Sequence, residues 1–313
     1  MSVREEVQLV RVEKAHIGQR LDNFLIRHLK GVPRTRIYRL IRRGEVRVNK
    51  KRCKPERKLD IGDEVRIPPY TGRDNRQLVK PSPALQSYLL ENILFENDQL
   101  LVVNKPAGLA VHGGTSIRLG LIEALRQCKP EWKGLELAHR LDRATSGCLL
   151  ISKTPKFLKY IQREFKEKNV KKNYLALVHG TWSKSVKHID APLKKEALGE
   201  NERIVRVSES GKPSRTCFDV KCYYPGASLI EAMPETGRTH QIRVHCQHAG
   251  HGIVGDDKYT FTAINNALDK VKSLCLHAWK IEFTAPSIPM PIKVEAPVDA
   301  HLKSLLELLD KSN

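Results

Sequence analysis

The segment Glu136-Leu-Ala-His-Arg-Leu-Asp-Arg-Ala-Thr-Ser-Gly147 holds one carboxylate, Asp142, two residues after Arg140 and immediately before Arg143. This polar loop leads into the apolar run Leu149–Ile151. Guanidinium neighbours keep a carboxylate ionised, and nucleophilic attack requires that state. The same pattern also describes a salt-bridged turn, the commoner fate of a lone aspartate. A second polar stretch, Glu235-Thr-Gly-Arg-Thr-His-Gln-Ile-Arg-Val-His245, offers Arg238, His240 and Arg243. Read as alternating along a strand-like run, these three share one face, which either meets solvent or lines a site. Asp142 needs a cationic partner, and that favours the site. His240, His245, Cys246, His248 and His251 raise a metal reading. Their spacing fits no helix-borne zinc signature such as H-E-x-x-H, so no metal is expected. Tyr174 is either a site aromatic or a strand tyrosine half-buried in a core.

Periodicity supplies the elements that must position these residues. Gly18 to Lys30 reads as an amphipathic helix with Leu21, Phe24, Leu25 and Leu29 on one face. Pro33 opens a second helix carrying Ile37, Leu40 and Ile41, and Gly44 closes it. Val46 and Val48 alternate with polar residues as a half-buried strand, and Val65 and Ile67 form another after the Ile61-Gly62-Asp63 turn. Four prolines between Pro68 and Pro83, with no apolar period, read as a linker. The domains expected are therefore 1–68, a linker over 69–87, and 88–313. The last mixes strand-like runs (Leu100–Val103, Leu149–Ser152, Tyr174–Val178, Ser228–Ala232) with helical ones (Ile117–Gln127, Lys156–Lys168). That pattern predicts an α+β domain around a mixed sheet. Leu302, Leu305, Leu306 and Leu309 predict a C-terminal helix docked on its core.

Charge points to a class of partner. The chain has 55 Lys and Arg against 35 Asp and Glu, a net charge of +20, and residues 1–80 hold 22 of those bases against 10 acids. Between residues 34 and 58 stand twelve bases and two acids, Glu45 and Glu56. The polar face of the second helix, Arg36, Arg39, Arg42 and Arg43, continues into Lys50, Lys51 and Arg52. A solvated helix face is the plainer account. A face this one-sided repels itself, however, and counterion release from phosphates would compensate it. An anionic membrane fits less well, because the segment lacks Trp or similar residues for insertion. No apolar run reaches membrane-spanning length, and the first residues lack a signal-peptide core, so a cytoplasmic protein is expected. Seven scattered cysteines with no C-x-x-C pair argue against a disulfide framework or a zinc ribbon.

His139-Arg-Leu-Asp142 with Arg-Ala-Thr-Ser-Gly147 resembles the signature of the RluA-type pseudouridine synthases. Asn104-Lys-Pro-Ala-Gly-Leu-Ala-Val-His-Gly-Gly114, Lys172-Asn-Tyr-Leu-Ala-Leu-Val178 and Glu235–His245 resemble three further segments of that family, in the same order. Arg20-Leu-Asp-Asn-Phe-Leu25 and Gly44-Glu-Val-Arg-Val-Asn49 are similar to an S4 RNA-binding domain. Many S4 domains carry Gly in the hairpin that follows, where this chain has Lys50 and Lys51.

The resemblance implies an S4-like domain followed by a larger mixed, largely antiparallel synthase domain, and isomerisation of flipped-out uridines in bacterial large-subunit (23S) ribosomal RNA. It implies Asp142 as nucleophile, Tyr174 stacked on the base, and Arg243 paired with Asp142. Ile242 would wall the uracil, and Arg140 would fill the gap left in the RNA. No metal or organic cofactor and no membrane is implied, and a monomer is expected. A non-catalytic S4-containing protein that binds rRNA or assists ribosome assembly is the alternative, against which Asp142, Tyr174 and Arg243 together speak. A metal-dependent nuclease would need a paired-carboxylate cluster that these motifs lack.

Overall fold

A computed structural model describes residues 3–4, 6–29, 32, 34–71, 79–114, 117–197, 203–259, 267–286 and 288–311. The chain divides into two compact units, Met1–Val79 and Lys80–Asn313.

In the first unit, α1 (Leu21–His28) and α2 (Arg34–Arg43) pack on a three-stranded antiparallel sheet. Its strands are β1 (Gln8–Arg11), β2 (Arg47–Val48) and β3 (Glu64–Ile67), with β3 between the other two. Helix α1 is shorter than the expected Gly18–Lys30, because Gly18 takes a left-handed φ of 72° and the extended Arg20 caps the helix. Lys30 and Pro33 lie outside the described residues. Leu21, Phe24, Leu25, Ile37 and Ile41 meet Val46, Val48, Val65 and Ile67 in one buried core. The hairpin without glycine is still tight. Val48 and Lys51 exchange backbone hydrogen bonds of 3.0 Å, with Asn49 and Lys50 at φ 51° and 65°. Such a two-residue turn needs positive φ at both central residues. Asn49 meets that cost with side-chain bonds to Asp63 Oδ1 (2.6 Å) and from the Glu64 N–H (2.8 Å).

The second unit opens with α3 (Pro83–Glu91), capped by Ser82, whose hydroxyl accepts from the Leu85 N–H. Part of the stretch read as linker over 69–87 is therefore helix. Pro83 sits in the first turn, where a missing N–H costs nothing. Residues 72–78 of that stretch lie outside the described residues.

Next come β4 (Ile93–Glu96), β5 (Leu100–Lys105), α4 (Leu121–Cys128), β6 (Glu136–Leu137), β7 (Ser146–Ser152), α5 (Pro155–Lys166) and β8 (Lys171–His179). They are followed by β9 (His188–Asp190), β10 (Leu193–Ala197), β11 (Arg203–Val207), β12 (Arg215–Tyr224), β13 (Ala227–Pro234), α6 (Gln241–His248), β14 (Leu276–Ala285), β15 (Ile288–Glu295) and α7 (Ala300–Asp310). Among the described residues a ten-stranded sheet runs β9-β12-β13-β8-β14-β7-β5-β4, with β15 paired to β14 and β6 to β7. Every pairing is antiparallel except β14 with β7. The sheet is thus mixed, as expected. Helix α4 begins at Leu121 rather than Ile117, and α5 covers nearly the span expected of it.

Strands β5 and β7 are buried on both faces. Leu101, Val103, Leu149 and Ile151 join the α4 residues Leu121 and Leu125, while Leu100, Val102, Cys148 and Leu150 join Phe157 and Ile161 of α5. Burial on both sides explains why these strands read as unbroken apolar runs. Gly147 is fixed by the one parallel contact. Its φ is 105°, and a Cβ there would collide with the backbone of Ala278. This close crossing pins the start of β7, and with it the loop that precedes it.

Candidate active site

Asp142 sits on that loop, between β6 and β7, and its position is determined by the backbone on either side. The Ala138 N–H donates to Leu150 O (3.2 Å), and the Leu150 N–H donates to His139 Nε2 (3.0 Å). Arg143 and Gly108 exchange hydrogen bonds of 2.9 Å, tying the loop to the 104–114 segment. Lys105 completes the clamp. Fully buried, its Nζ donates to the carbonyls of Pro106 (2.8 Å), Leu109 (2.8 Å) and Arg143 (3.0 Å). Burial pushes Lys105 down to about 7, opposed by the charge of Asp142. Three carbonyl acceptors match the three donors of the ammonium form, so we assign Lys105 as charged.

Asp142 opens onto a cleft of about 420 Å³. Tyr174 of β8 lines the cleft together with Arg140, Arg238, His240, Ile242 and Arg243, so the structure brings these sequence-predicted residues to one place. Arg140 and Arg238 are exposed, whereas Ile242 and Arg243 are buried. At Tyr174 the ladder between β8 and β14 slips by one residue, the kind of irregularity that re-aims a side chain out of a regular pleat. Burial, with the charge of Asp142, raises the pKa of the Tyr174 phenol, which stays neutral.

The segment carrying Arg238, His240 and Arg243 is not a strand. It is a turn leading into α6, and His240 caps that helix at a left-handed φ of 54°. Gln241 clasps the turn, accepting from Thr236 Oγ1 (2.7 Å) and the Arg238 N–H (3.0 Å) while donating to Arg215 O (2.9 Å). The three residues converge through a turn and a helical step, not through strand alternation.

The expected ion pairs also differ. Arg243 is engaged by Asp256, with Nε to Oδ2 at 2.7 Å and Nη2 to Oδ1 at 2.6 Å. Burial opposes the charge of Arg243, but these hydrogen bonds and the Asp256 carboxylate hold its pKa above the ordinary value. Asp142 contributes a longer-range attraction only. Among the described residues, the basic side chain within 4 Å of Asp142 is neither arginine of its own loop but the His240 imidazole, with Nε2 at 3.8 Å from Oδ2.

The His240 ring is held from behind. The Val205 N–H donates to Tyr259 Oη (3.0 Å), which lies 2.7 Å from His240 Nδ1. A hydroxyl that already accepts has its proton left to give to Nδ1, so Nε2 carries the ring proton toward Asp142. Burial lowers the pKa of His240, partly offset by Asp142. Lys105, Lys172, Gln241, Asp256 and Tyr259 were not picked out by sequence reasoning. Lys105, Gln241, Asp256 and Tyr259 each have a partner distant in sequence, and no local spacing marks any of the five.

Two of the histidines that raised a metal reading have protein partners. Buried His245 is bonded to Thr216 and Ser214 hydroxyls, and His251 to the carbonyl of His179. Among the described residues no three His, Cys, Asp or Glu side chains are grouped to hold an ion. In the first unit Arg39, Arg42, Arg43, Lys50, Lys51 and Arg52 are exposed and Arg36 half-buried. Of these side chains, among the described residues, Arg43 alone has a carboxylate within 4 Å, Glu45 at 3.9 Å.

Comparison with known proteins bears on this arrangement. The chain is 50% identical to the ribosomal large subunit pseudouridine synthase C of Salmonella typhi over 309 residues, covering 97% of both chains. The chain belongs to the RNA pseudouridylate synthase family. The namesake proteins of Escherichia coli K12 and Haemophilus influenzae are 49% and 46% identical, covering 97% and 99% of this chain and 97% of each relative. The family model described as RNA pseudouridylate synthase matches residues 99–248, and that of the S4 domain matches 19–65. Human RNA pseudouridylate synthase domain containing 1 is 27% identical with a TM-score of 0.55, over 70% of this chain and 94% of that one. Human RNA pseudouridylate synthase domain containing 4, at 23% identity, shares the fold with a TM-score of 0.59 over 72% of this chain and 96% of that one. The synthase domain therefore contains Asp142, Tyr174 and Arg243 within the family match, and the S4 domain contains the basic helix.

Proposed function

We propose that this protein isomerises uridines to pseudouridine in 23S ribosomal RNA, with Asp142 as nucleophile. The observation that carries the reading is the cleft in which Asp142, Tyr174 and Arg243 meet. The reaction breaks the N1–C1′ bond, turns the uracil, and joins C5 to C1′. C5 gives up a proton and N1 gains one, so atoms balance without any redox partner. The Asp142 carboxylate can form its covalent bond at C1′ or at C6, and both routes use the same side chain. Tyr174, kept neutral, stacks on the base while it turns, and Ile242 walls it. Arg243, fixed by Asp256, holds positive charge near the carboxylate, and His240 directs Nε2–H at it. Extracting a uridine from its stack costs roughly a few kcal/mol, which contacts from Arg140 in the vacated space and from the basic S4 surface offset. Arg238 belongs to the RNA-facing rim. The enzyme works as a cytoplasmic monomer on this reading.

Two measurements test it. Pseudouridine mapping of rRNA from cells with and without the gene should show sites that depend on it. Asp142→Asn should abolish isomerisation while RNA affinity stays within about a few-fold, because the side chain keeps its size and loses its nucleophilicity. Full activity in that variant would remove the proposed chemistry.

A further inference from the structure

Lys172 is the second residue of β8, the strand that carries Tyr174, and lines the same cleft as Asp142. Lys171, its neighbour in sequence, and Lys105 of the Asp142 clamp have partners of their own. Lys171 pairs with Glu282 at 3.0 Å, and Lys105 is spent on three carbonyls. Lys172 is half-buried, yet among the described residues no hydrogen bond or ion pair engages its side chain. Its Nζ is also absent from the buried polar atoms left without partners, so the ammonium opens to the cleft. Burial pushes its pKa down to about 8 with no carboxylate opposing the shift. At neutral pH the group is still mainly charged, in a place where that charge is uncompensated.

Lys172 also stands at a junction. A second groove, of about 330 Å³, shares Lys172, Pro234 and Glu235 with the Asp142 cleft and continues past Lys171 and Lys168. Glu235, the acid at the junction, is already engaged by Arg215 (3.1 Å) and Lys168 (3.9 Å). A flipped base needs one cavity. A groove leading away from it suits the strand to which the base remains attached, and a lysine serves phosphate as a point charge.

We propose that Lys172 binds the phosphodiester next to the flipped uridine and that the groove past Lys171 and Lys168 carries the adjoining RNA strand. This rests on the proposed uridine isomerisation and adds the site at which the backbone is gripped. An anion arriving there would supply the counter-charge that the protein itself withholds.

The test uses the full chain and unmodified 23S rRNA transcript. Binding is measured in an Asp142→Asn background across a salt series, and single-turnover pseudouridine formation is measured at saturating RNA with Asp142 restored. Lys172→Gln should weaken binding about tenfold at low salt and reduce the salt slope by about 0.7 to 0.9. Lys172→Arg should restore both, which a variant that merely misfolds cannot imitate. Unchanged affinity and slope in Lys172→Gln overturn the inference. So does a loss confined to the rate at saturation, which would assign Lys172 to the reacting base. Wild-type protein that forms no pseudouridine in this transcript would sink the underlying function, while the binding series would still decide the role of Lys172.

Discussion

A guanidinium taken almost wholly out of water stays charged and is costly to bury unless its donors are met, and Asp256 meets two of those of Arg243. Arg243 is 6% exposed and Asp256 3%. Asp256 further accepts from the backbone N–H groups of Lys258 (3.0 Å) and Tyr259 (3.1 Å), so it also shapes the turn that brings Tyr259 to His240. Removing one partner of such a pair strands the other charge, whereas replacing both with apolar groups does not. Asp256→Ala should therefore destabilise the protein by about 3–5 kcal/mol in denaturant unfolding. The double variant Arg243→Met with Asp256→Leu should recover the part due to the stranded guanidinium, though not the backbone bonds to Lys258 and Tyr259, and should form no pseudouridine. If the double variant is as unstable as the single one, the pair is not what holds this corner.

At the scale of elements, the Asp142 loop depends on its neighbours being in a particular protonation state. His139 Nε2 accepts the Leu150 N–H at 3.0 Å and so must be unprotonated, and its ring packs 4.9 Å from Phe165. Burial, helped by the charge of Lys172, lowers His139 to about 3. A histidine lowered on folding binds its proton more readily when unfolded. Its contribution to stability is complete above the ordinary value of 6.5 and is lost as pH falls from there toward about 3. Within that window each pH unit costs about 1.4 kcal/mol for one proton. Gln at this position offers an acceptor that does not titrate. His139→Gln should make stability fall less steeply between pH 6 and pH 4, by about one proton's worth of slope, in unfolding measured across pH. The other buried histidines, His179, His245 and His277, also lowered by burial, keep the rest of the acid limb. An identical slope in the variant would mean that His139 is already protonated in the folded protein.

At the scale of the whole molecule, charge is divided unevenly, and the S4 domain carries most of the excess. Its exposed Arg39, Arg42 and Arg43 have almost no carboxylates to answer them. If each meets a phosphate, reversing all three to Glu should weaken rRNA binding and lower the salt slope by about two to three. Chemistry at saturating RNA should survive, because all three belong to the first compact unit and the cleft to the second. An unchanged slope would leave this face to solvent. No described helix is long and apolar enough to cross a membrane.

Much of this was legible in the chain alone. The apolar periods marked α1, α2 and the buried strands, because burial selects residue type directly at each turn or pleat. The segments around Asp142, Tyr174 and Arg243 were legible as motifs of the family to which the chain belongs, and the fold brings the three residues to one cleft. Read as a strand, however, Glu235–His245 gave the wrong local geometry, since a left-handed His240 and the Gln241 clasp depend on contacts with Tyr259 and Arg215 far along the chain as well as on Thr236 and Arg238 nearby. The same holds for Asp256 taking Arg243, for Lys105 locking the loop, and for the Lys172 side chain, unpaired among the described residues, in the cleft with Tyr174. Sequence determined which groups are present and which segments bury them. Only the folded sheet decided which charge meets which, because pairing energy depends on distance through space and on exclusion from water, and neither is encoded in spacing along the chain.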